Sequence, residues 1–173
     1  MPFFNPDDTA SDSVELWPHA DQNIHLKKGC ENSYQGILYV WDSTQPNTSN
    51  TIVWPGSWNS QYHQLLTAIP SSFGTGIDHG LYIRDIKDEG VRNQLMDGWK
   101  QHSRRIQVPA GSLLIFNSRT IHQGYTSGYR LAQTLSWEPK RFRSHDALLR
   151  KVQAMHMGIG TTHWASLGLH HGA

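Results

Sequence analysis

The sequence predicts an all-β chain, a β-sandwich or jelly roll with a few short helices. Three observations predict it: many short turn-bounded apolar segments, few helical stripes, and no regular alternation of strand with helix. The strand-like segments are 35–41, 51–54, 81–86, 105–108, 112–116 and 130–137, each rich in β-branched or aromatic residues and bounded by turn formers. Upstream, His19-Ala20-Asp21 reads as extended, whereas residues 1–16 form a flexible lead-in rich in Pro, Asp and Ser. The stretch 42–50 carries Pro46, Asn47 and Asn50 and reads as a loop. One helix is predicted from about Ser60 to Ala68, stopping before Pro70. A second starts at the N-cap Ser144 and carries Ala147, Leu148, Val152 and Met155 on an apolar stripe. The Gly-rich stretch 73–80 has no phosphate-loop spacing and reads as a mobile loop or lid. No internal repeat is present, and residues 1–173 read as one domain.

Composition narrows the function. Fifteen Lys and Arg against fourteen Asp and Glu give a net charge of +1, so no whole-molecule field exists to hold nucleic acid or an anionic membrane. No apolar run is long enough to span a bilayer, and Met1 to Asp8 lack the basic and apolar regions of a signal peptide, which predicts a soluble, cytoplasmic protein. Cys30 is the only cysteine, so disulfides within the chain and Cys-rich zinc frameworks are excluded, and a metal must be held by nitrogen and oxygen. The sequence has 11 His to do so.

The chemistry centres on His19 and Asp21. In an extended segment, residues two apart project to the same face, so imidazole and carboxylate can converge on one ion. The third ligand is predicted to be His122, which follows the apolar segment 112–116 and opens a polar, Gly-containing stretch at what reads as a pocket rim. Two His and one carboxylate on one face of a metal form the facial triad of non-haem Fe(II) oxygenases, with three positions left open. Eight residues further on, Arg130 opens the segment 130–137 and is expected to share an interior face with Ala132, Thr134 and Ser136. An interior arginine needs an anion, and its planar fork matches a carboxylate, which predicts capture of the far end of a dicarboxylic cosubstrate.

These motifs stand in an order: Trp17-Pro-His-Ala-Asp-Gln-Asn23, Gln35-Gly-Ile-Leu38, Val53-Trp-Pro-Gly-Ser57, Ala110 through Ser118-Arg-Thr-Ile-His122, Arg130, and Thr161-Thr-His-Trp164. The ordered set resembles the phytanoyl-CoA dioxygenase-like family of Fe(II)- and 2-oxoglutarate-dependent oxygenases, over most of the chain. The resemblance implies a double-stranded β-helix (cupin-like jelly roll), with His19, Asp21 and His122 as iron ligands and Arg130 as the 2-oxoglutarate anchor. It also implies hydroxylation of a small organic substrate by dioxygen, with release of succinate and CO2. Related halogenases carry Gly or Ala where this sequence has Asp21, which favours hydroxylation. Members of the family usually have a substantial region before the His-x-Asp strand that backs one sheet; here 18 residues precede His19. Trp58 also follows Pro-Gly-Ser where His is common. A short N-terminus leads to the expectation of exposed apolar sheet covered in a homodimer. Two rivals remain: a catalytically silent metal- or ligand-binding relative, and a cupin-type metalloenzyme needing no keto acid.

Secondary candidates surround this set. Gln22 is placed to hydrogen-bond substrate or a ligand carboxylate, and Gln35, Tyr39 and Thr134 to line the cosubstrate pocket. Arg119 falls on the face opposite His122 and is expected to make a structural ion pair. Trp17, Trp41, Trp54 and Trp58 are divided between an apolar substrate mouth and ordinary packing. His25, His63, His79, His102, His145 and His156 read as surface or packed residues, His163 as a neighbour of the site, and His170-His171 as a frayed end.

Overall fold

The computed structural model describes residues 16–23, 33–46, 48–69, 80–125, 128–142 and 144–159. They form eight strands and three helices: β1 (His19–Ala20), β2 (Tyr34–Tyr39), β3 (Asn50–Val53), α1 (Ser60–Ala68), β4 (Leu81–Tyr82), α2 (Glu89–His102), β5 (Arg104–Ile106), β6 (Leu113–Asn117), β7 (His122–Tyr125), β8 (Ala132–Trp137) and α3 (His145–His156). Short 3-10 turns occupy Ile83–Asp85 and Lys140–Phe142. The strands make two antiparallel sheets, one in the order β4-β1-β7-β3-β5 and one in the order β6-β2-β8. No helix among the described residues is long and apolar enough to cross a membrane.

The main core lies on one side of the five-stranded sheet. Ala20, Ile52, Leu81 and Ile121 meet Tyr62, Leu65 and Leu66 of α1 and Leu95 and Trp99 of α2 there. Alternation then turns His19 and Val53 to the other side, towards the second sheet, where a smaller cluster of Ile37, Tyr39 and Val108 packs with Phe116 and Leu114. Tyr39 of β2 ties the two sheets together with a 2.9 Å hydrogen bond between its hydroxyl and that of Thr51 in β3.

Several elements depart from the sequence reading. Segment 81–86 is a strand only at Leu81–Tyr82; it then tightens into a 3-10 turn that buries both Ile83 and Ile86, residues three apart that such a turn eclipses. The strand predicted from Arg130 begins at Ala132, because the Leu131 carbonyl accepts from both Val40 and Trp41 and ends the regular ladder. α2 was not predicted. It is a polar helix whose core-facing side is Val91, Leu95, Met96 and Trp99, N-capped by Asp88, whose side chain accepts from the Val91 N–H. Gly98 lies where a Cβ would come 2.5 Å from the Trp54 ring, so any larger residue there would force the ring or α2 to shift. Ser144 does cap α3, but the helix buries Ala147 and Ala154, while Val152 and Met155 of the predicted stripe are exposed. The stretch 73–80 lies outside the described residues except Gly80, as do His25, His79, His163 and His170-His171.

The register of β6-β2-β8 makes that sheet two-faced. Tyr34 pairs with Asn117 and Trp137, Gly36 with Ile115 and Leu135, and Leu38 with Leu113 and Gln133, so these nine share one face. Trp137 lies across the centre of that face, where a Cβ on Gly36 would meet its ring at 2.7 Å. The opposite face carries Gln35, Ile37, Phe116, Thr134 and Ser136 towards the five-stranded sheet.

Leu95 is fully buried between α2 and the sheet, so Leu95→Ala should lower stability by about 2–5 kcal/mol, and Asp88→Ala by about 1 kcal/mol through the lost cap. Urea unfolding followed by circular dichroism checks both; equal midpoints for the Leu95 variant and the wild type would contradict this core.

Candidate metal centre

β1 and β7 pair so that His19 stands directly opposite His122. Asp21 follows two residues after His19, where the backbone leaves β1 and the Gln22 N–H donates to the Ser118 carbonyl. The result brings together all three predicted ligands. His19 Nε2 is 3.2 Å from Asp21 Oδ1, and His122 Nε2 is 3.4 Å from Asp21 Oδ2. One ligand atom from each of the three lies within 4.8 Å of the others. Donors bound at right angles to one ion, each about 2.1 Å away, stand about 3 Å apart, so the spacing suits a metal ion.

The hydrogen bonds on the far side of each ring strengthen that fit. His19 Nδ1 is 3.2 Å from the Trp17 carbonyl and His122 Nδ1 is 2.9 Å from the Thr120 carbonyl. A carbonyl only accepts, so both Nδ1 atoms carry the proton and both Nε2 atoms face Asp21. In neutral rings those Nε2 atoms would aim lone pairs at an anion. The cluster is therefore satisfied only by extra protons or by a cation, and a divalent ion replaces the protons directly.

Aromatic packing holds the first imidazole. His19 is stacked between Trp17, at 4.9 Å and 16°, and Tyr82, at 5.0 Å and 21°. Phe116 packs on His122 with ring centres 4.8 Å apart. Tyr82 and Phe116 were missed in the sequence, although the alternation of segment 112–116 would have placed Phe116 on an inner face. Of the four tryptophans weighed for a mouth, only Trp17 borders the ligands; Trp54 stacks on His102 beside α2, and Trp41 and Trp58 are exposed.

A cavity of about 140 Å³ adjoins Asp21 and His122 and is lined by Gln35, Ile37, Phe116, Thr134 and Ser136 among others. Gln35 donates its amide N–H to Asp21 Oδ2, the role foreseen for Gln22. Gln22 is itself buried, and its side-chain amide has no hydrogen-bond partner among the described residues. Thr134 lines the cavity as expected. Tyr39 and Arg130 do not: Tyr39 stands four residues along β2 from Gln35, with Arg130 beside its hydroxyl. Arg130 is exposed rather than interior, and its guanidinium reaches the Asn50 carbonyl at 3.4 Å. The reason is its position ahead of β8, outside the alternating ladder. No described carboxylate pairs with it. Arg119 makes no predicted ion pair with a described residue; its guanidinium lies 5.4 Å over the Tyr62 ring. Among the described residues the buried arginine is Arg105, which donates to Asn50 Oδ1 and to the carbonyls of Gln45 and Thr48 and lies 4.3 Å over Tyr125, clamping the loop before β3.

A larger cleft of about 870 Å³ opens between α1 and α2, lined by Gln64, Gln94 and His102 among others, and includes none of the three ligands. No family model, no curated protein and no solved structure matches the chain.

Burial alone would raise the Asp21 carboxyl, but hydrogen bonds from His122 and His19 outweigh it and hold the group well below the usual carboxylate range. Burial would lower His122, but its bond to Asp21 wins and raises it. A lowered Asp21 stabilises the metal-free fold above about pH 4, the benefit fading as pH falls through the folded value. A raised His122 stabilises it below about pH 6.5, the benefit fading as pH rises through the folded value. Metal must displace the His122 proton, so added Mn(II) should raise the thermal midpoint more at pH 8 than at pH 6. Thermal unfolding with and without Mn(II) across that range tests this; a pH-independent increment, or none in the wild type, counts against a metal on His122.

Proposed function

We propose that this chain is a non-haem Fe(II)- and 2-oxoglutarate-dependent oxygenase of the phytanoyl-CoA dioxygenase-like kind, built as a double-stranded β-helix, that hydroxylates a small organic molecule. The observation that carries the reading is the convergence of His19, Asp21 and His122 at 3.2 and 3.4 Å beside a cavity. The opposed two-sheet arrangement, with the ligands on inner faces, supports the fold part of it.

In this reading His19, Asp21 and His122 would hold Fe(II) on one face and leave the other face for cosubstrate and dioxygen. When bound, the metal supplies oxidative decarboxylation of the keto acid to succinate and CO2, coupled to insertion of one oxygen atom into a substrate C–H bond. The chain's own residues orient and shield. The Trp17 and Thr120 carbonyls lock the two imidazoles in the Nδ1–H form, and Gln35 steadies the Asp21 carboxylate. Trp17, Tyr82 and Phe116 pack around the rings and exclude water. The cavity of about 140 Å³ is close to the roughly 150 Å³ known to take a benzene-sized ligand, and Gln35, Thr134 and Ser136 supply its polar wall. Arg130, with Tyr39 beside it, is the cation assigned to the far carboxylate of 2-oxoglutarate. Asp21 itself favours hydroxylation over halogenation, since it fills the position a halide would take.

A second reading has one observation in its favour. The residues lining the cavity include no Lys or Arg, which suits a metalloenzyme of the same build that uses no keto acid. Anaerobic titration with Fe(II) and 2-oxoglutarate separates the two. The wild type should develop the weak visible band of a metal-chelated keto acid and, in air, convert 2-oxoglutarate to succinate; His19→Ala, Asp21→Ala and His122→Ala should do neither. Arg130→Ala should keep Mn(II) affinity and lose at least tenfold in 2-oxoglutarate affinity, since a charge-assisted bond is worth about 1.5–3 kcal/mol, with Lys a partial rescue. Metal binding by the wild type with indifference to 2-oxoglutarate would select the second reading.

A further inference from the structure

Among the described residues, two surfaces each carry several exposed large apolar side chains. One is the outer face of β6-β2-β8, where Ile115 is 56% exposed, Tyr34 45%, Trp137 43% and Leu113 42%. No side chain among the nine positions of that face is charged. The other is α3, which buries Ala147 and Ala154 and leaves Leu149, Val152 and Met155 exposed at 49%, 40% and 68%. Both sets face solvent within one chain, so neither buries the other. Soluble surfaces rarely leave contiguous apolar area of this kind uncovered.

The two surfaces match in size and shape. The six residues of β8 run about 20 Å, and three strands with their side chains are about 14 Å wide. The 12 residues of α3 run about 18 Å on a cylinder about 10 Å across. A flat apolar sheet is normally covered by a layer of helix, and one helix of this length covers three strands. From this match we propose that a second copy of the chain covers the sheet: α3 of each copy lies across the outer face of β6-β2-β8 of the other. Two identical contacts then form about a twofold axis. An uncharged face against an apolar stripe costs no buried charge in self-association. Sheet face and helix stripe together give each copy a footprint of roughly 450 Å², which places the dimer at the weak end of specific association.

The contact bears on the metal centre. The inner side of the same three strands carries Gln35, Phe116 and Thr134 into the cavity, so covering their outer side stiffens one wall of it. The dimer itself stands on the exposed faces and holds whichever chemistry the metal supports.

Sedimentation velocity across a concentration series tests it, with Ile115→Glu to spoil the sheet face and Val152→Glu to spoil the helix stripe. Both sites are exposed, and circular dichroism with Mn(II) binding confirms the fold; Ile115→Gln and Val152→Gln replace them if either Glu variant unfolds. The wild type should be a dimer, and each variant should weaken it tenfold or more. Mixing the two variants should restore dimer at intermediate affinity, because one of the two contacts is then intact. A wild type monomeric throughout, a dimer indifferent to both substitutions, or a mixture that fails to reassociate would each overturn the reciprocal docking. A monomer that binds neutral phosphatidylcholine vesicles would overturn it and assign the face to lipid.

Discussion

The centre depends on a proton count that the backbone imposes. The Trp17 and Thr120 carbonyls each take an Nδ1 proton, which commits both imidazoles to one tautomer and turns both Nε2 atoms on Asp21. Two neutral rings and one carboxylate cannot share that space with their lone pairs converging. The cluster must gain positive charge, as protons in the metal-free protein or as a metal ion, and much of the surrounding packing serves that requirement. Tyr82 and Trp17 sandwich one ring, Phe116 backs the other, and Gln35 spends a donor on the carboxylate. Such a site is pre-organised, since the ligands need little rearrangement to accept an ion.

A strand of only two residues sets this geometry. β1 is held between β4 and β7, so that His19 faces His122 while Ala20 drops into the helix-covered core with Leu81, Ile52 and Ile121. Alternation makes the two roles inseparable: a slip of one residue would put His19 in the apolar core and Ala20 at the metal face. The packing of α1 and α2 behind the five-stranded sheet is therefore also what keeps the ligand register. Stability of the core and integrity of the centre share one cause.

What could be read from the sequence was local. The i, i+2 spacing of His19 and Asp21, the span of α1 and the Ser144 cap all rest on neighbours within a few residues, and all appear in the structure, whereas β7, which opens at His122, read only as a polar, Gly-containing stretch. The misses are non-local. α2 carries a narrow apolar side of Val91, Leu95, Met96 and Trp99 in an otherwise polar helix with two glycines, and Gly98 makes sense only once Trp54 is opposite it. Ile83 and Ile86 look like strand residues until both must reach the same core. Arg105 looks like an ordinary sheet-edge cation, yet it is buried because the loop before β3 folds back to offer it carbonyls. The separation of Arg130 from the cavity follows from the doubled hydrogen bonding at Leu131, which no spacing rule contains.

The two arginines near the sheets also differ in how freely they can serve a ligand. Arg105 would forfeit hydrogen bonds to Asn50, Gln45 and Thr48 and its contact with Tyr125 if it moved, each bond worth about 1 kcal/mol, so it is committed to the loop. Arg130 is exposed, with the Asn50 carbonyl at 3.4 Å, the Tyr39 hydroxyl beside it and no described carboxylate as partner. Turning it towards the cavity costs little, and a dianionic ligand would repay that movement. Between Tyr39 and Gln35 lie about 13 Å of strand, more than a five-carbon diacid spans, so a diacid reaching from the metal face cannot touch both ends unless the guanidinium comes to meet it. Keto-acid binding by this chain is therefore a question about the reach of one exposed side chain, while the three ligands stand ready without it.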